Sequence, residues 1–163
     1  MEVAAGYKQT EVGVIPEDWK VRGLFSILSI VNGQVDPKEE PFCSMILLAP
    51  DHIEKATGRL LRKQTARSQG AISGKYLVRC GDVVYSKIRP HLRKAFLSDF
   101  DGLCSADMYP LKVQPDISAG FVFSVILAEH FSRFAESVSV RSGMPKINRE
   151  ELASYNFAIP PTK

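Results

Sequence analysis

Short apolar runs broken by polar turns fill the first two-thirds of the chain, and a helical pattern dominates the last third. Val83-Val84-Tyr85-Ser86 reads as a central strand because β-branched and aromatic side chains suit a pleated, buried surface. Ala95-Phe96-Leu97 and Met108 to Val113 read as two more strands. Pro110 assigns the second of these to an edge or a bulge, since proline has no N–H for a ladder. Ser44 to Ala49 reads as a short buried strand, and Tyr155 to Ile159 as a closing strand before Pro160-Pro161. Phe121, Val125, Phe131 and Phe134 recur near helical spacing behind Ser118, a capping residue, which predicts one helix over 118–138. A short helix over 147–152 follows, with Asn148 as cap and Glu151 three residues on, the spacing of a capping box. Near the start, Asp18 opens an expected helix that puts Val21, Leu24, Phe25 and Leu28 on one side, with Trp19 packed against the body. Residues 1–12 read as an arm over a body of residues 13–161.

Gly and Asn punctuate these elements at Asn32-Gly33, Thr57-Gly58, Gly81-Asp82, Asp99 to Gly102 and Ser142 to Pro145. Residues 62–74 alternate charge, amide, hydroxyl and glycine, and read as a surface loop or short hairpin. No regular alternation of strand and long helix occurs, which argues against a doubly wound sheet. The expected class is α/β or α+β: a curved, mixed β-sheet packed against helices in a single domain.

Apolar residues make up 45% of the 163 residues, enough to bury a core and exclude a disordered chain. The three cysteines form no CxxC pair, which makes a disulfide framework or a cysteine-rich zinc module improbable. His52, His91 and His130 share no metal-ligand spacing. No signal-peptide pattern opens the chain, and the most apolar helical stretch, 119–128, is too short to span a bilayer. These features point to a cytoplasmic protein with no membrane partner.

The net charge of +3 hides an uneven distribution. Residues 59–94 hold ten basic side chains and one acid, Asp82, while the remainder holds 11 basic and 17 acidic. Arg62, Lys63, Arg67, Lys87, Arg89, Arg93 and Lys94 are interleaved there with Gln64 and Gln69. Lysine and arginine neutralise phosphates, and arginine and glutamine can each make paired hydrogen bonds to base edges. Composition leaves three readings open for this segment: a nucleic-acid face, an ordinary solvated surface, or a docking site for an acidic protein. It does not separate DNA from RNA. Enzyme signals are weak: GxGxxG, Walker A, HExxH and GxSxG are all missing. Asp99 with Asp101 reads as turn chemistry, and Asp107 as a tie to a nearby arginine.

Several phrases, in order along the chain, resemble one family. Tyr7 to Trp19 (YKQTEVGVIPEDW) resembles its entry into a recognition domain, and Gly81 to Pro90 (GDVVYSKIRP) its central strand with a basic exit. Cys104 to Pro110, Ser142 to Leu152 (SGMPKINREEL) and Ala158 to Pro161 resemble its later landmarks. The family is the DNA-specificity subunit of type I restriction-modification enzymes, and the likeness covers one target-recognition domain.

The resemblance implies sequence-specific recognition of one half of a split site in double-stranded DNA, without catalysis or cofactor in this chain. It implies modification subunits that methylate adenine with S-adenosylmethionine, and restriction subunits that use ATP and Mg. Such a subunit has two recognition domains separated by long helices. The present length therefore suggests a half-subunit, paired with a second copy, or a piece of a longer chain. Arg62, Lys63 and Arg67 are then candidates for a loop around the DNA, with Gln64 and Gln69 as base readers. Lys87, Arg89, Arg93, Lys94 and Lys146 are candidates for phosphate contacts. The alternative is a protein-interaction module for an acidic partner.

Overall fold

The computed structural model describes residues 2–139 and 143–162. Eleven strands and four α-helices occur among them: β1 Tyr7–Thr10, β2 Gly13–Pro16, β3 Lys20–Gly23, α1 Leu24–Ile27, β4 Leu28–Ile30, β5 Leu47–Leu48, β6 Tyr76–Val78, β7 Val83–Ser86, β8 Ala95–Leu97, β9 Gly102–Cys104, β10 Met108–Val113, α2 Ala119–Leu127, α3 Glu129–Val138, α4 Arg149–Ala153 and β11 Asn156–Ile159. The α+β expectation holds. The strands are divided among four small sheets, in the orders β1-β2, β4-β10-β7-β8, β11-β3 and β5-β9-β6. Only β5 and β9 pair in parallel.

The main core lies between the four-stranded sheet and the helices. Tyr85 of β7 meets Phe131 of α3 edge-on at 5.5 Å, and Phe131 meets Tyr155 edge-on at 4.9 Å. Leu24, Ile27, Val122, Ile126, Leu152 and Phe157 close around them. A smaller core of Leu48, Ile53, Val78, Val84, Cys104 and Met108 lies toward β5-β9-β6. A third, of Leu47, Ala66 and Leu103, sits beneath the polar loop.

Four expectations change. Residues 7–16 form a hairpin across the expected arm boundary, closed at Gly13, whose φ of 109° glycine tolerates. The helix expected after Asp18 is β3, one helical turn and β4. Ala158 of β11 pairs with Val21, so a partner distant in sequence turns a helical pattern into a strand, and Phe25 faces outward. Pro110 lies in a central strand. Its carbonyl accepts from the Val31 N–H at 3.2 Å, just past the end of β4, so its missing N–H faces a ladder that has already finished.

The helix over 118–138 is two helices. Ser118 caps α2 through the Phe121 N–H as expected, but Ala128 is extended, with ψ of 154°. The Leu127 carbonyl accepts instead from Arg93 Nε at 3.0 Å. Trp19 packs half-buried against Phe121 of α2.

The cap and turn readings at Asn148 and Gly143 hold, while Asp101 and Asp107 take partners other than those expected. Asn148 and Glu151 form the reciprocal capping box, at 2.8 and 3.1 Å. Gly143 takes a φ of 90° in a tight turn, while Ser142 beside it lies outside the described residues. Asp101 does not serve its own turn: it accepts from the Cys80 N–H at 2.9 Å and so ties the turn at residues 79–82. Asp107 is tied through its carbonyl to the Lys87 N–H at 3.0 Å rather than to an arginine. The three cysteines are free thiols. Among the described residues no helix is long and apolar enough to cross a membrane. No group of three His, Cys, Asp or Glu among them could hold a metal.

Candidate nucleic-acid interface

The polar loop owes its shape to the segment before it. Leu47 N–H donates to the Gln64 carbonyl, Ala66 N–H to Met45 and Arg67 N–H to Cys43, each at 2.9 Å. Residues 64–67 thus run alongside 43–47 with fully buried Ala66 as the plug. Gln69 Nε2 spans the turn, donating to the Leu47 carbonyl at 2.8 Å and to the Gln64 carbonyl at 3.0 Å. At the far end, buried Lys75 donates to the Ser73 carbonyl and hydroxyl, and its main chain pairs with Val35. Between these anchors the loop turns outward. Ile72 is 77% exposed, and Gln64 makes no side-chain hydrogen bond to a described residue.

The loop cations meet carboxylates from outside the basic segment. Arg59 pairs with Glu54 at 2.9 Å, Arg62 with Asp51 at 3.0 Å and Arg67 with Glu40 at 2.6 Å. Farther on, Arg79 pairs with Asp101 at 3.4 Å. Hydrogen bonds from Cys43, Arg67 and Ser44 hold the Glu40 carboxyl below its ordinary range. Lys63 lies over the Phe100 ring at 4.8 Å.

The exit of β7 is organised differently. Ile88 forms an antiparallel bridge with Lys146, Arg89 N–H donates to the Pro145 carbonyl, and Ile147 N–H donates to the Lys87 carbonyl, both at 2.9 Å. The bridge brings Lys87 Nζ to 5.0 Å from the centre of the Tyr109 ring and the Arg149 guanidinium to 5.7 Å from the same point. Arg149 Nη1 donates to Asn32 Oδ1 at 2.6 Å, and the Tyr109 hydroxyl to the Ile147 carbonyl at 3.1 Å. Partial burial pushes the Lys87 ammonium below its ordinary value. The charges of Lys146 and Arg149 push the same way, and Asp107 opposes them. Lys94 Nζ donates to the Pro50 carbonyl at 2.8 Å. Arg89 and Lys94 line a cleft of about 390 Å³ together with Asp51 and Asp107.

The fold therefore sorts the ten sequence-selected residues. Arg62, Lys63, Gln64 and Arg67 project from the braced loop, whereas both amide donor contacts of Gln69 go inward. Lys87 and Lys146 converge at the strand exit, Arg89 and Lys94 line the neighbouring cleft, and Arg93 reaches back to Leu127 and Glu129. Arg149 was missed by sequence reasoning. One signal was present: a cation in the first turn of a helix, where the backbone dipole disfavours positive charge.

Comparison with known proteins gives one curated relative. The chain is 35% identical over 155 residues, 95% of its length, to the Escherichia coli type I restriction enzyme EcoDI specificity subunit. It spans about a third (34%) of that relative. Among solved structures, it matches one from a study of complex assembly and conformational transition in a type I restriction-modification system, with a TM-score of 0.74 and 19% identity. It also matches the HsdS subunit of Thermoanaerobacter tengcongensis, with a TM-score of 0.72 and 17% identity. Each match covers 90% of this chain and 39% of the other, and at these identities shows the fold alone. No protein-family profile matches the chain.

Proposed function

Because the chain belongs, along the length it spans, to the family of type I restriction enzyme specificity subunits, we propose that it reads one half of a split site in double-stranded DNA and does no covalent chemistry itself. The family relation across nearly the whole chain is the observation that carries this reading. The surface supports it. A loop fixed at both ends presents Arg62, Lys63, Arg67, exposed Ile72 and the Gln64 amide, which has no hydrogen bond to a described residue. These side chains offer phosphate neutralisation, paired hydrogen bonding to adenine and an apolar contact for the thymine methyl group. Gln69 supports Gln64 from behind, and Arg93 fixes the strand exit to the helices. Lys87 and Arg89 meet the phosphates.

The exposed arginine pairs do not oppose this role. Surface ion pairs are weak and screened by salt, so a phosphate can replace the carboxylate on a side chain already aimed outward. The remaining chemistry falls to partners: modification subunits with S-adenosylmethionine, restriction subunits with ATP and Mg, and a second recognition domain from a longer chain or another copy.

The test is to reconstitute the chain with modification subunits and map methylated adenines in genomic DNA. A recurrent half-site motif is expected, and an assembled complex without site preference overturns the reading. The internal pairing of Arg59, Arg62, Arg67, Arg79 and Arg93 with acids favours a second reading, a module for an acidic protein. Binding to polyglutamate as tight as to duplex DNA at equal ionic strength would select it.

A further inference from the structure

Resting on the DNA reading above, we propose that Lys87 and Arg149, gathered on the Tyr109 ring with Arg89 at the rim, form a built site for one DNA phosphodiester. The contributing segments lie far apart in sequence, and main-chain bonds fix their meeting. The Ile88–Lys146 bridge and the Arg89–Pro145 and Lys87–Ile147 bonds hold residues 87–89 against residues 145–147, and α4 begins at Arg149. The backbone thus forces Lys87, Lys146 and Arg149 together, and their mutual repulsion is felt at Lys87.

The aromatic face offsets part of that cost, since a cation over a tyrosine ring is attracted by the negative face of the ring. A carboxylate would offset more, as Glu54, Asp51 and Glu40 do on the loop. Of the nearby acids, Glu151 accepts from the Asn148 N–H to cap α4, while Asp107 lines the cleft with Arg89 and Lys94 and opposes the depression of Lys87 without pairing with it. Among the described residues, neither Lys87 nor Arg149 forms an ion pair.

The donors fit a phosphodiester. Arg149 uses one terminal nitrogen on Asn32, which leaves the other edge of its fork for an anionic oxygen. Lys87 supplies a compact point charge. The Tyr109 hydroxyl is engaged with Ile147, so the ring serves as a floor and not as a donor. A singly charged phosphodiester between the cations replaces repulsion by attraction. It reads no base, and so sets the register of the domain on the duplex.

The test is a salt titration of the whole chain with its cognate duplex and a scrambled one, for wild type, Lys87→Gln and Arg149→Gln. Each variant should weaken both duplexes by the same factor and keep the base preference. The slope of log K against log salt should become shallower by about 0.9 per lost contact. Because Arg149→Gln also alters the Asn32 contact, melting curves accompany it, and Lys87→Gln carries the test if that variant unfolds. Wild type binding neither duplex at low salt overturns the DNA reading itself. Wild type binding DNA, with both variants keeping its salt slope, overturns the site alone. A fourth titration adds inorganic phosphate at constant ionic strength. Saturable phosphate binding, lost in Lys87→Gln with the DNA salt slope unchanged, would identify a free-anion site and overturn the assignment to DNA.

Discussion

The basic segment contains two regions that solve the same electrostatic problem in opposite ways. In the loop, Arg59, Arg62 and Arg67 each lean on a carboxylate supplied by residues 40–54. At the strand exit, Lys87 leans on the Tyr109 ring and Lys94 on the Pro50 carbonyl, while Arg93 is held by the Leu127 carbonyl and has Glu129 at 4.0 Å as well. Carboxylates cancel charge, whereas rings and carbonyls orient it without cancelling it. The strand exit therefore keeps more of its positive charge, above all at Lys87, while the loop holds pre-aimed side chains of nearly balanced charge. On the DNA reading proposed above, the strand exit suits a firm phosphate anchor and the loop suits adjustable base contacts.

The two regions meet at Gly58, and the largest effect is expected there. Its φ is 72°, and an added Cβ would sit 2.9 Å from the Ala95 carbonyl oxygen and closer still to Phe123. Gly58→Ala should destabilise the domain by about 1–3 kcal/mol, read by denaturant titration. Amide exchange should rise first in residues 56–66, while β7 stays protected. Equal loss in both regions would show that they are one cooperative unit.

Next comes the loop's own chemistry. Gln64→Ala should leave the melting temperature unchanged and cost about 1–3 kcal/mol of discrimination at one base pair, measured on single-substituted duplexes. Gln69→Ala removes two internal hydrogen bonds and should cost about 1–2 kcal/mol of stability, with a broader shift in base preference as the loop relaxes. If Gln69→Ala behaves like Gln64→Ala, its amide reads DNA directly.

A smaller effect separates the regions by pH. Hydrogen bonds hold the Glu40 and Glu54 carboxyls below their ordinary value of 4.5. Their contribution is complete above that value and is lost as pH falls through the lowered folded values. Loop amide resonances should therefore move on acidification below about pH 4.5 before those of residues 87–89, whose ring and main-chain contacts do not titrate there. The least effect belongs to Arg59→Gln, an exposed pair on the loop's outer edge. Its melting curve should match wild type, and a clear loss would mean that this pair braces the loop.

Local signals in the sequence predicted what local chemistry decides. The Asn148–Glu151 box, the Ser118 cap, the turn glycines and strands β7, β8 and β11 depend on neighbours a few residues away. What was not legible depends on distant partners. β3 takes its form from β11, Pro110 is tolerated centrally because β4 ends beside it, and no residue type at Ala128 announces the helix break. The interface follows the same rule. Counting charges over 59–94 located the basic segment but not the acids of 40–54 folded onto it. Arg149 stood outside the window until the Ile88–Lys146 bridge brought it in.

On the proposed DNA reading, the loop's dependence on residues 43–47 also sets the unit in which such a domain would change its target. Thr65 pairs with Ile46, Gln69 holds the Leu47 carbonyl, and Arg67 is seated on Glu40 and Cys43. A foreign loop grafted over 59–69 alone would lose its rails. The piece to transplant in a test of that reading is residues 40–69 as one, so that the loop carries its own acidic bed with it.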